Sequence, residues 1–165
     1  MRSFVFALLS VFLVGICSGQ GATGKPAEPD EIGVVFSLDS TTHELKPLPS
    51  EPWKAKSKAG WYSSTGVVEV SGVSSVFRIK SNETTEFIFK TEHPESVKIY
   101  AFVPKKNNRQ VDVVKLGRAQ ESIPGIPTVL TKFGDSSYRL VPDSPLGPGE
   151  YTISMAGKMF TFGVD

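Results

Sequence analysis

The stretch Tyr138–Asp165 (YRLVPDSPLGPGEYTISMAGKMFTFGVD) constrains the fold most, because it spells a strand, a Pro/Gly-rich corner and a β-hairpin. Tyr151, Ile153 and Met155 alternate with Thr152 and Ser154; Phe160, Phe162 and Val164 alternate with Thr161 and Gly163. A period of two puts each apolar set on one face of a strand. Gly157-Lys158, with Gly first, reads as a two-residue turn of type II′ or I′. That turn sets Met155 opposite Phe160, Ile153 opposite Phe162 and Tyr151 opposite Val164. All six apolar groups then share one face. A slip of one residue would set Phe160 and Phe162 against Ser154 and Thr152. The six are therefore expected in a core.

The rest of the chain from Ile32 repeats this texture: short apolar runs, turn signals, and no window with a helical repeat. Ile32–Leu38 and His43–Leu48 read as a hairpin across Asp39-Ser40-Thr41-Thr42, with Leu38 opposite His43, Phe36 opposite Leu45 and Val34 opposite Pro47. Val76–Lys80 and Glu86–Lys90 read as a second hairpin, setting Ile79 opposite Phe87 and Phe77 opposite Phe89. Val97–Val103 and Gln110–Leu116 make a third pair around PKKNNR. No register aligns every apolar residue of that pair, so Val97–Val103 is expected to be buried on both faces or bulged. Gly66–Val70 and Ile126–Phe133 add two strands. The expectation is an all-β antiparallel sandwich of about eleven short strands, spanning residues 32–165 as one domain.

Residues 1–19 read as a cleaved signal peptide: Arg2, the apolar run Phe4–Ile16, and small residues at Cys17-Ser18-Gly19. The run is too short to span a bilayer comfortably. Cys17 has a second, minor reading as a lipidated anchor, although Ile16 is a poor residue before such a cysteine. Residues 20–31 (QGATGKPAEPDE) read as a flexible lead-in. The expected location is the periplasm or the exterior.

Cleavage removes Arg2 from the 18 Lys and Arg, leaving 17 against 17 Asp and Glu. A neutral chain does not suit nonspecific binding to nucleic acid or anionic membrane. It also removes the only cysteine, which excludes disulfides, thiolate metal sites and a cysteine nucleophile. The mature chain, of about 146 residues, must be stabilised by its core, and a domain of ~150 residues buries ~70% of its unfolded surface.

The closing pattern, Leu140-x-Pro142, then Leu146-x-Pro148-Gly149-Glu150-Tyr151-x-Ile153, then Phe160-x-Phe162, resembles the last strands of bacterial immunoglobulin-like sandwich domains. Tyr151 after the Pro-Gly corner resembles the tyrosine corner, whose hydroxyl ties the crossover to the strand. More loosely, Glu31–Asp165 is similar to secreted bacterial domains of unknown function. That resemblance implies a fold and no activity.

Catalytic motifs do not assemble. Of the two histidines, His43 sits at the start of a strand and His93 in a polar loop, with no nucleophile motif beside either. No HExxH or HxH spacing marks a metal site, no Gly-rich loop cradles phosphate, and no cofactor is expected. Asp39–Glu44 superficially resembles a calcium loop but lacks its repeated acids and Gly, and reads as a turn in which Asp39 bonds its own backbone. Asn82-Glu83-Thr84 matches a glycosylation acceptor. Dispersed carboxylates remain the one hydrolytic alternative, and a strand-exchanging assembly subunit is another. The best binding candidate is Pro49–Thr65, read as a long loop carrying Trp53, Trp61 and Tyr62 among Lys54, Lys56 and Lys58. Aromatic faces flanked by cations can stack on a glycan or pin a protein. The alternative is that the tryptophans fold back as lids on the sandwich. The function expected is a noncatalytic binding or structural module for an envelope protein or polysaccharide.

Overall fold

The computed structural model describes residues 28–59, 64–81, 85–116 and 120–165. The expected signal peptide (1–19), Cys17, Trp61, Tyr62 and Asn82 lie outside the described residues. The described residues form an all-β sandwich of fifteen strands in three sheets, with one 3-10 turn at Pro94–Ser96.

The first outer sheet runs β12 (Thr128–Lys132), β13 (Tyr138–Pro142), β7 (Phe87–Phe89), β1 (Val35–Leu38) and β2 (Leu45–Pro47), in that spatial order. The middle sheet is β3 (Ser50–Glu51), β15 (Lys158–Val164), β14 (Gly149–Met155) and β8 (Lys98–Ala101), with β6 (Arg78–Ile79) lying parallel to the far end of β15. The second outer sheet is β11 (Gln120–Ser122), β10 (Asn108–Leu116), β5 (Ser64–Ser71) and β4 (Trp53–Ala59), with β9 (Val103–Lys105) also on β10.

Two cores separate these layers. In the first, Val35, Phe87, Phe89 and Leu140 meet Ile99, Ile153, Met155, Phe160, Phe162 and Val164. Phe87 and Phe162 pack with ring centroids 4.9 Å apart, and Tyr151 stacks on Phe162 at 5.4 Å. In the second, Val68, Val70 and Val111 meet Tyr100, Phe102 and Met159. The middle sheet is thus covered on both faces. On its side toward the second core, Thr152 and Thr161 are fully buried rather than wet. Those hydroxyls are satisfied internally: Thr152 Oγ1 donates to Met159 Sδ at 3.7 Å, and Thr161 Oγ1 donates to Glu51. An unpaired hydroxyl there would be costly.

The closing hairpin forms as expected, two residues out of the expected register. Its loop is Ala156-Gly157, with Met155 opposite Lys158, Ile153 opposite Phe160 and Tyr151 opposite Phe162. Ala156 and Gly157 have φ of 48° and 73°. Both central residues of a type I′ turn need positive φ, and Gly serves at the second of them. A displacement of two keeps the period-two phase, so the six apolar residues still face one core. The first hairpin shifts in the same way: Leu38 pairs with Leu45 and Phe36 with Pro47. The Asp39 turn is as expected, with Asp39 Oδ1 accepting from the Thr41 and Thr42 amides at 2.9 and 3.0 Å.

The second expected hairpin does not form. β6 joins β15 of the middle sheet, while β7 enters the outer sheet between β1 and β13. Phe87, Ile88 and Phe89 are all fully buried, as suits a central strand. The third expected pair divides too. β8 pairs with β14, and only Val103–Lys105 turns back onto β10. Ile99 and Tyr100 are buried on opposite faces of β8, and β10 carries a bulge between Asp112 and Val114.

Candidate functional site

Pro49–Thr65 is not a long loop. Within it β3 covers Ser50–Glu51, and β4 pairs over its whole length with β5, from Trp53 opposite Val70 to Ala59 opposite Ser64. The alternation Lys54, Lys56, Lys58 with Ala55 and Ser57 is the pattern of an edge strand that discourages further pairing. Trp53 and Lys58 fall on opposite faces, about 17 Å apart along the strand at ~3.3 Å per residue. Trp53 Nε1 donates to Gly157 O at 3.0 Å, folding the ring toward the closing hairpin while 39% of the residue stays exposed. Lys56 pairs with Glu69 at 2.6 Å, and this cation holds the Glu69 carboxyl below its ordinary range, aided by Gln110. Lys58 pairs with Asp112 at 2.7 Å. Trp61 and Tyr62 lie outside the described residues. Of the four described candidates, Trp53 lies on one face of β4 and Lys54, Lys56 and Lys58 on the other, and Lys58 lines a hollow.

That hollow is an open groove of about 500 Å³ beside β10. Its origin is a gap in strand pairing. On the side away from β5, β10 is covered by β9 at residues 108–110 and by β11 at residues 114–116. Between them, among the described residues, no strand pairs with β10 on this side, and the Ile123 amide donates to Val113 O at 3.0 Å. Residues of an antiparallel strand point their main-chain groups alternately to the two neighbours. That alternation breaks at the bulge between Asp112 and Val114, where β10 borders the groove.

The far wall is Ile123–Ile126. It is tied to β8 by Ile126 N donating to Ile99 O at 2.8 Å, and by Tyr100 Oη donating to Ile123 O at 3.5 Å. Gly125 permits the approach: a Cβ there would stand 2.6 Å from Ile99 O. Pro124 and Pro127 remove two donors, which keeps this segment out of a regular ladder. Burial pushes the Tyr100 phenol above its ordinary pKa, so it remains a neutral donor. Exposed Val103 and half-buried Ile126 give the groove apolar surface, while Lys105 and the Lys58–Asp112 pair stand at its rim. From the sequence, Lys105 falls in the PKKNNR turn and Ile126 opens an expected strand, so neither reads as part of a groove. The Pro-Gly-x-Pro spacing was the available signal.

The carboxylates that do converge serve a buried arginine. Arg109 is fully buried and pairs with Glu51 at 2.7 Å and Glu150 at 3.2 Å. It also donates to Ser75 Oγ and to Gly72 O, and lies 5.4 Å over the Phe102 ring. Glu150 accepts from Arg78 as well, and Arg78 reaches Asp165, whose carboxyl that guanidinium holds below its ordinary range. Gly163 makes room: a Cβ there would fall 1.7 Å from Arg78 Nη1. Both glutamates are thus engaged as counter-ions, away from the groove. His43 and His93 are exposed, with His93 Nδ1 3.5 Å from Glu95. Among the described residues no group of three His, Cys, Asp or Glu could hold a metal ion, and no helix is long and apolar enough to cross a membrane.

Compared with known proteins, the chain matches no family model, no curated protein and no solved structure.

Proposed function

We propose that this chain is an exported, noncatalytic binding module that accepts an extended segment of another protein, such as an envelope protein, in the groove between β10 and Ile123–Ile126. The observation that carries the reading is the gap between β9 and β11, where Val111 and Asp112 of β10 border a hollow with apolar surface and Lys105 at its rim. An extended peptide is suited to such a gap, because main-chain hydrogen bonds supply affinity and alternate side chains supply choice. Export rests on Arg2, Phe4–Ile16 and Cys17-Ser18-Gly19. The immunoglobulin-like assignment is supported by the hydrogen bond from Tyr151 Oη to Gly147 O at 2.8 Å, which ties the corner to β14.

Selection from a displayed library of random peptides tests this reading. The expected outcome is enrichment of peptides that alternate apolar and acidic residues. Their binding falls at least tenfold with Val103→Asp or Lys105→Glu, while the melting temperature holds. Enriched peptides that bind both variants undiminished, or no enrichment, would exclude the groove. A polysaccharide-binding module would instead respond to a glycan array and lose binding with Trp53→Ala.

A further inference from the structure

At the edge of the first outer sheet, the turn between β12 and β13 makes a small polar cradle. Phe133 N donates to Ser137 O at 3.1 Å and closes the turn around Gly134-Asp135-Ser136. The Asp135 and Ser136 amides and the Ser136 and Ser137 hydroxyls all point at the carboxylate of Glu28. Oε1 takes the Asp135 amide; Oε2 takes the Ser136 amide at 3.3 Å, Ser136 Oγ at 3.2 Å and Ser137 Oγ at 2.9 Å. Ser137 is fully buried, and Lys90 Nζ stands 3.9 Å from Oε2. A Cβ at Gly134 would fall 1.7 Å from Oε1, so the turn leaves the carboxylate room only because residue 134 has no side chain. Successive amides aimed at one point, with hydroxyls beside them, form an anion-binding concavity.

The Glu28 partner comes from more than a hundred residues away, from the stretch read as a lead-in. The Glu28 carboxylate is held by donors that all belong to the turn, and such donors can in principle take another carboxylate. We propose that the Gly134–Ser137 turn is a carboxylate receptor whose resident ligand is this chain's own Glu28, exchangeable with a carboxylate from outside. The two oxygens of a planar carboxylate already divide the donors between them. A free carboxylate would enter as Glu28 leaves, and Glu28 would meet solvent. The inference is independent of the groove at β10.

Acetate is the probe, with sodium chloride at equal ionic strength as the control. In full-length Glu28→Ala, acetate is expected to shift the Asp135 and Ser136 amide signals saturably. It is also expected to raise the melting temperature by roughly 3–5 °C at ten times its Kd, as mass action requires for a domain of this size. In the wild-type protein the tethered Glu28 competes for the turn, and the same shifts are expected only at acetate concentrations at least tenfold higher than in Glu28→Ala, with chloride giving none. In Glu28→Ala with Ser137→Ala the response is expected to weaken at least threefold. Glu28→Gln, which keeps the side chain's length and one acceptor oxygen, carries the same titration if Glu28→Ala does not fold. Equal responses in all proteins, or none in the Glu28 variants, would overturn the proposal. A stronger response to inorganic phosphate than to acetate would overturn the carboxylate assignment and make the turn a phosphate receptor.

Discussion

The two interlayer cores are built from different materials. Between the first outer sheet and the middle sheet, fifteen buried apolar side chains, five of them large aromatics, leave little for polar groups to do. Between the middle sheet and the second outer sheet there are six among the described residues, and Arg109 with its two glutamates completes the seam. The difference separates jobs. Apolar packing fixes the first half without needing direction, whereas an ionic seam must be satisfied bond by bond. The second outer sheet also carries the broken ladder and the groove. A layer with less apolar burial opens more readily, and binding surfaces are drawn from such layers.

The largest effect expected of a single change falls in the first core. Phe162→Ala should cost about 3–5 kcal/mol, since Phe162 is fully buried against Phe87 and Tyr151. Urea denaturation measures it; a loss under 1 kcal/mol would mean that this core is not the dominant one. Breaking the seam comes next. Arg109→Ala should cost about 3 kcal/mol, because Glu51 and Glu150 then face a partly buried site without their cation. Arg109→Met, which keeps the volume, separates packing from charge. If Met restores stability fully, the seam is a matter of filling space and the contrast between the cores narrows. Amide exchange of the Arg109→Ala protein should quicken in β4, β5 and β10 well before β7 or β14; uniform quickening would show the three layers opening as one.

Gly163→Ala should cost about 1–3 kcal/mol by driving the Arg78 guanidinium off β15. Paired with Arg78→Ala in a double-mutant cycle, much of that cost should disappear; strict additivity would refute the steric account. A smaller, pH-dependent loss is expected at the Glu28 cradle. Hydrogen bonds from the Asp135 amide foremost, then from Ser137 and Ser136, lower the Glu28 pKa from 4.5 to about 2. A carboxyl whose folded pKa is depressed adds stability above its unfolded pKa and loses it as pH falls through the folded one. Denaturation midpoints of wild-type and Glu28→Ala protein should therefore converge between pH 4.5 and 2. The least effect belongs to Lys58→Ala. Its pair with Asp112 is exposed on both sides, and about 0.2–1 kcal/mol is expected.

The closing hairpin shows how far local pattern reaches. Alternation in Tyr151–Met155 and Phe160–Val164 is enough to give two paired strands with one shared face, and the observed shift of two residues leaves that face intact. A period of two specifies phase and nothing more, so it could not choose between a Gly157-Lys158 and an Ala156-Gly157 turn. The same limit explains β6 and β7. Ile79 and Phe87 are in phase with each other, but Ile79 is equally in phase with a strand more than eighty residues away. Trp53–Ala59 was legible as an edge strand from its alternating lysines, and the aromatic-rich composition around it outweighed that signal. Of the groove's lining, Lys58 alone stands among the binding candidates legible in the sequence, because the walls are joined by contacts between residues far apart in the chain.

The sequence by itself determined the class of structure, all-β, along with the phase of most strands, the Asp39 turn and the identity of the core residues around the closing hairpin. These follow from interactions within a few residues, where alternation and turn geometry leave few choices. Only the tertiary structure decided that there are three sheets and not two, that Thr152 and Thr161 are buried, that Arg109 is the seam, and that the groove and the Glu28 cradle exist. Each of these depends on which distant strand covers a given face, and a single chain's local pattern carries no information on that choice.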